Sequence, residues 1–190
     1  MTPRFALIAA PLFACAYGAI RIVDGLDGSR GPGFAWTAGH LAFMAALVLF
    51  AWLFLWFREL AGRDAPATAS AAAGIAGVAA LLVQFGIDVA VGFAAADQEG
   101  MSALFQQVTS VPGVSFLVYD GLPYLFYVAQ LVLMIRLAVL RVLPAWTLAP
   151  VVVYLALPIV SKDLIPVSAL FMLVALFPLV RRPVTAPAAA

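Results

Sequence analysis

Apolar residues run along this chain in long unbroken blocks, and the few charged residues collect between them. A helix that crosses a hydrocarbon core about 30 Å thick needs about 20 mainly apolar residues. Residues 5–23, 34–57, 69–96 and 114–135 each supply such a block. The last apolar stretch, residues 145–180, is too long for one crossing, since as a single helix it extends about 54 Å at 1.5 Å per residue. Ser161, Lys162 and Asp163 interrupt it, with Pro158 and Pro166 on either side. It reads as two short spans, 145–160 and 164–180, joined by a tight turn. The pattern predicts an all-α polytopic transmembrane bundle of about six spans, one domain over residues 1–182, with a flexible tail at 183–190.

Composition agrees with this pattern. Of 190 residues, 66% are hydrophobic and 10% charged, and the mean hydropathy is +1.11. Water-soluble domains average about 45–50% apolar and about 25% charged, so the surplus must face lipid. Formal net charge is +1 with no run of like charges, which leaves no footprint for nucleic acid. A single cysteine, Cys15, forbids an internal disulfide or a cysteine metal cage, and a single histidine, His40, forbids bis-histidine haem ligation. No cofactor and no metal is expected.

Basic residues set the orientation. Arg4, Arg58, Arg63, Arg136, Arg141, Arg181 and Arg182 fall at alternate loops and at the ends, and Arg21, Arg30 and Lys162 fall on the other side. The positive-inside rule then places both termini in the cytoplasm of a bacterial cell membrane; nine arginines against one lysine also suit a GC-rich genome. Ala14-Cys15-Ala16 mimics a signal-peptide cleavage site, yet the apolar run continues to Val23, so the segment is read as a span.

Small residues Ala73, Gly74, Ala76, Gly77 and Ala80 give the third span a face for close helix approach, within the chain or between copies. Leu47, Phe50, Phe54 and Phe57 suit lipid or knob packing on the second.

The chemistry concentrates in one layer. Charged side chains in the membrane are costly and usually buried or functional. Arg21, His40, Asp88 and Asp120 come from four different spans, all in the outer third; Asp88 lies about seven residues, or about 10 Å of helical rise, from its outer end. The inner halves are almost free of ionisable groups. Pro123 removes a helical hydrogen bond and clashes with the preceding turn. The Tyr119-Asp120-Gly121-Leu122-Pro123-Tyr124 stretch is therefore expected to kink. Gln84 and Asp88 share a helical face. With Tyr119, Tyr124 and Tyr127, these residues would wall a pocket open to the outer leaflet, if Asp88 and Asp120 turn toward each other. The structural alternative is an Arg21–Asp88 or His40–Asp120 bridge, with Arg21 and Asp24 as a helix-end pair and Lys162-Asp163 as a solvated turn. Residues 97–113 form the longest connection, and 101–108 has the spacing of a short amphipathic lid.

Three functions fit this layer. The first is binding of a small amphipathic or lipidic ligand through Arg21, His40, Gln84, Tyr119, Tyr124 and Tyr127. The second, by analogy with membrane terpene cyclases, is an acid-initiated isoprenoid cyclase or isomerase with Asp88 and Asp120 as catalytic acids. The third is the substrate-binding subunit of a vitamin importer, whose helix contact Ala10 and Ala14 resemble. Partners are then membrane lipid, the ligand, and either a second copy or a transporter subunit. The Gly39-His40-Leu41-Ala42-Phe43 opening of the second span and the Leu143-Pro144 start of the fifth also resemble uncharacterised six-span integral membrane proteins of GC-rich bacteria. That resemblance implies the fold and carries no assigned activity.

Overall fold

Helix α1 (Pro3–Asp24) packs between α2 (Phe34–Leu60) and the last helix, α7 (Ile165–Arg181). The chain is described here by a computed structural model covering residues 2–26 and 28–182; the expected tail at 183–190 lies outside the described residues. Helix α3 (Ala65–Ala94) lies between α2 and α5 (Pro123–Val139), and α6 (Leu148–Val160) packs on α7. Between α3 and α5 come α4 (Gln98–Ser110) and a π-helix, Ser115–Asp120; 3-10 turns at Ala145–Thr147 and Lys162–Leu164 precede α6 and α7. Among the described residues no strand occurs.

Among the described residues, five segments are long and apolar enough to cross a membrane: Pro3–Asp24, Phe34–Leu60, Ala65–Ala94, Ser115–Val139 and Lys162–Arg181. Ala145–Val160 is apolar but shorter. Their outward faces are greasy, as lipid contact requires: Leu41, Val48 and Leu55 recur at seven-residue spacing on α2, and Val128, Val132, Ile135 and Val139 line one side of α5. Leu47, Phe50, Phe54 and Phe57 point the other way and are all buried, so they serve as knobs rather than lipid contacts.

Helix approach is governed by glycine. A Cβ on Gly77 would lie 2.3 Å from the backbone nitrogen of Phe126, so α3 and α5 touch backbone to side. Gly74 receives the ring of Phe54, and Gly18 of α1 receives Pro166 of α7. Of the small-residue face of α3, Gly74, Gly77 and Ala80 are consumed inside the chain, whereas Ala76 stays exposed. Ala10 and Ala14 are both buried in the bundle; Ala14-Cys15-Ala16 sits in the middle of one continuous helix.

The two ends of the bundle carry different locks. At one end, Arg4 donates to the carbonyl of Arg182 at 3.0 Å, joining the start of α1 to the end of α7. Asp64 there caps α3 by accepting from the Ala67 amide at 2.8 Å, and Arg136 of α5 donates to its other oxygen. The amide and the guanidinium hold the Asp64 carboxyl below the usual carboxylate range. At the opposite end Asp163, in the α6–α7 turn, accepts from Arg30 through both oxygens at 2.9 and 3.1 Å and lies 3.5 Å from Arg21 Nε. The Lys162-Asp163 turn is thus a tie between both halves of the chain rather than a free solvated loop.

Candidate functional site

Among the described residues, five polar side chains other than tyrosines are buried: His40, Asp88, Gln130, Thr147 and Ser168. Thr147 and Ser168 bond back to carbonyls of their own turns, and Gln130 sits against Met172. The remaining two are ionisable, and they touch each other. His40 Nε2 lies 3.6 Å from Asp88 Oδ2, an ion-pair separation just beyond hydrogen-bond range. Of the two alternative bridges, His40–Asp120 gives way to His40–Asp88, because α2 and α3 are packed neighbours.

Trp36 fixes both partners. It precedes His40 by one helical turn, its ring packs tilted against the imidazole with centroids 4.2 Å apart, and its carbonyl lies 2.7 Å from His40 Nδ1. Its indole N–H crosses to α3 and donates to the backbone oxygen of Asp88 at 2.9 Å. Gly92, one turn beyond Asp88, makes that crossing possible: a Cβ there would come within 2.6 Å of the indole. Tyr17 of α1 meets His40 edge-on, and Phe85 of α3 closes the ring cluster at 5.1 Å from the imidazole.

The π-helix delivers the third polar contact. Tyr119 donates its hydroxyl to Asp88 Oδ1 at 3.2 Å. Asp120, the next residue, is exposed and accepts instead from Ser115 in its own turn at 2.7 Å. The two aspartates are therefore not a facing pair. The kink expected near Pro123 takes the form of this π-helix, closed by the Gly121 amide donating to the Phe116 carbonyl at 2.6 Å, with Pro123 opening α5. Gly121 is needed there because a Cβ would press on that same carbonyl. Single-turn π segments are rare and often mark functional positions.

The other anticipated members divide. Arg21 belongs to the site's edge: with Tyr17, Asp24, Ala35, Trp36, Gly39 and His40 it lines a narrow cleft between the end of α1 and the start of α2. Its ion-pair partner is Asp163, not Asp88. Gln84 is half-buried one turn before Asp88, Tyr127 packs edge-on to Phe126, and Tyr124 is exposed on the outside of α5. Gly92 is the contributor that composition alone conceals; a small residue one turn beyond Asp88 was the available sign.

The connection 97–113 is mostly helix. In α4, Met101 is buried, Leu104, Phe105 and Val108 turn inward, and Ser102, Gln106, Gln107 and Thr109 are exposed. Phe105 reaches Trp36 at 6.3 Å between ring centroids, so α4 lies as a strap over the site's aromatic rim.

The free volume of the cleft is about 10 Å³, roughly the room of one water molecule. The arrangement can hold a proton, donate or accept hydrogen bonds, and receive a small polar group at Arg21 and His40; it does not enclose a hydrocarbon chain. No protein-family model matches this chain, and neither a curated protein nor a solved structure matches it, so its functional reading rests on the geometry of this site.

Proposed function

We propose that this chain is a multi-pass protein of the cell membrane, with six crossings and cytoplasmic termini, that binds the polar head of a small amphipathic or lipidic molecule in its outer leaflet. The head enters the cleft bordered by Arg21, Trp36 and His40, and the apolar part of the ligand stays outside against the bundle. One observation carries this reading: the buried, ionisable side chains of His40 and Asp88 contact each other, and His40 borders the cleft. Intramembrane ionisable groups are by default functional, and binding sites set a few polar anchors among apolar walls. Val23, Leu26, Phe34 and Phe93, close in sequence to cleft residues or to Gly92, are exposed apolar side chains.

Orientation follows from the charges. Arg4, Arg58, Arg63, Arg136, Arg181 and Arg182 gather at the Asp64 end, and Arg21, Arg30 and Lys162 at the Asp163 end. The excess of basic residues at the Asp64 end supports a cytoplasmic assignment there. The short segment Ala145–Val160 is the sixth crossing in this reading, its length made up by local thinning of the bilayer.

A second reading, an acid-initiated isoprenoid cyclase or isomerase, is favoured by one feature, a carboxylic side chain beside an imidazole and among aromatic rings. It retains Asp88 as the acid, but the exposed Asp120 gives it no second one, and its substrate would need the cleft to open. The importer reading has lost its distinguishing mark, since Ala10 and Ala14 are covered by the chain itself.

Photo-crosslinking separates these readings. Protein in native membranes, supplied with a phospholipid carrying a diazirine near its headgroup, should be labelled on the Phe34–His40 turn, and Arg21→Ala should cut that labelling several-fold. Equal labelling of the two proteins would refute the binding site. Conversion of a polyprenyl substrate that is lost in Asp88→Asn would install the enzyme reading instead.

A further inference from the structure

The contact between His40 and Asp88 has a directional constraint that identifies its proton. His40 Nδ1 is 2.7 Å from the Trp36 carbonyl oxygen. A carbonyl only accepts, so Nδ1 carries a hydrogen and donates it. In a neutral imidazole the other nitrogen, Nε2, is then a bare lone pair, and it faces Asp88 Oδ2 at 3.6 Å. If the carboxylate were also bare, two lone pairs would oppose each other in surroundings that give little solvation, which is costly. One additional proton relieves the conflict from either side.

From this geometry we infer that His40 and Asp88 form a one-proton site, in which a single labile hydrogen is exchanged between Asp88 Oδ2 and His40 Nε2. In the forward direction the Oδ2–H bond breaks, its electron pair remains on the carboxylate, and the Nε2 lone pair takes the proton. A neutral acid and a neutral imidazole become a carboxylate and an imidazolium, and the total charge of the pair does not change. Hydrogen-bond reach is about 2.6–3.2 Å, so the pair must close by about 0.4 Å for the transfer. Tyr119 donates to the other carboxyl oxygen, Oδ1, and so stabilises the ionised form without competing for Oδ2. His40 is the member that lines the cleft, whose volume of about 10 Å³ suits one water as the carrier to the outer surface.

Trp36 is the positioning residue of the site. Its carbonyl sets the tautomer of His40, and its indole N–H holds the backbone at Asp88. The charged and titratable groups that face the pair are Tyr17, Arg21 and Asp24 from α1 and Tyr119 from the π-helix; Arg30 and, from α5, Tyr127 stand one layer back, beside Tyr17. The strap α4 brings Phe105 rather than a charge. A proton site of this kind does not depend on the ligand proposed above, and its test needs none.

Because His40 is the chain's single histidine, nitrogen-15 NMR of histidine-labelled protein in lipid nanodiscs reads this ring alone. The expected spectrum has Nδ1 protonated throughout a pH series, and an Nε2 signal intermediate between the protonated and bare positions. In Asp88→Asn, which has the same shape and no acidic proton, the Nε2 signal should collapse to the bare position. A neutral ring protonated on Nε2 with Nδ1 bare overturns the inference from wild-type protein alone. An Nε2 signal identical in wild type and Asp88→Asn overturns it as well.

Discussion

The hydroxyl of Tyr119 reaches the carboxyl of Asp88 across 31 positions of sequence, at 3.2 Å, and is the link between the π-helix and α3 at the depth of the buried imidazole. Hydrogen bonds between membrane helices average about 0.6 kcal/mol and reach about 1.7 kcal/mol. Tyr119→Phe should therefore lower stability by about 1 kcal/mol in detergent unfolding. Asp120→Asn, altering an exposed group bonded only within its own turn, should stay within about 0.5 kcal/mol of wild type. Equal losses in the two variants would mean that the π-helix does not sort these neighbours as described.

Gly77 offers a test of the bundle itself. Its missing side chain admits the backbone of Phe126, and overpacking a filled contact costs roughly 1–3 kcal/mol. Gly77→Ala should lose stability in that range. Gly86, on the same helix, has nothing within 4 Å of a built Cβ, so Gly86→Ala should be neutral or gain up to about 1 kcal/mol of helix propensity. Thermal unfolding of both variants in matched micelles measures the difference.

The Asp64 lock predicts a pH dependence with a definite sign. A carboxyl held below its unfolded value by the Ala67 amide and by Arg136 contributes stability above the unfolded pKa, about 3.9. That contribution fades as pH falls through the lower folded value. Asp64→Asn should flatten this acid limb of the unfolding profile, while leaving the neutral and alkaline parts parallel to wild type. An unchanged acid limb would show that the Asp64 contacts do not form.

Asp163 is shared by two guanidinium groups, those of Arg21 and Arg30. All three side chains are partly exposed, and exposed pairs contribute about 0.2–1 kcal/mol each. Asp163→Asn should cost about 1 kcal/mol or less in total. Its clearer consequence is local: with Arg21 and Arg30 released, hydrogen exchange in the segment between α1 and α2 should accelerate, and added salt should reproduce the effect in wild type.

The apolar blocks foretold every long helix because crossing length is set by a single physical dimension. Boundaries moved where local chemistry decides: α3 begins at Ala65 instead of residue 69 because Asp64 caps it and Pro66 suits a first turn. That Arg21, His40 and Asp88 lie toward the same end of the bundle was legible from position along each helix. Which of them face each other was not, since rotation about a helix axis is settled by packing. The π-helix supplies the clearest reason. Its wider turn breaks α-helical spacing, and the neighbour that reaches Asp88 is Tyr119, while Asp120 bonds within its own turn. The tie from Arg30 to Asp163 spans 133 positions and has no local signature in either segment.

Native mass spectrometry of the protein, released from its own membranes into a mild detergent, addresses the proposed binding site most directly. Wild type should carry a small amphipathic molecule at close to one per chain, and Arg21→Ala and His40→Ala, with helicity unchanged, should lose at least nine-tenths of it. Wild-type protein that emerges empty, or variants that retain the same molecule at the same occupancy, would contradict a ligand held between Arg21 and His40.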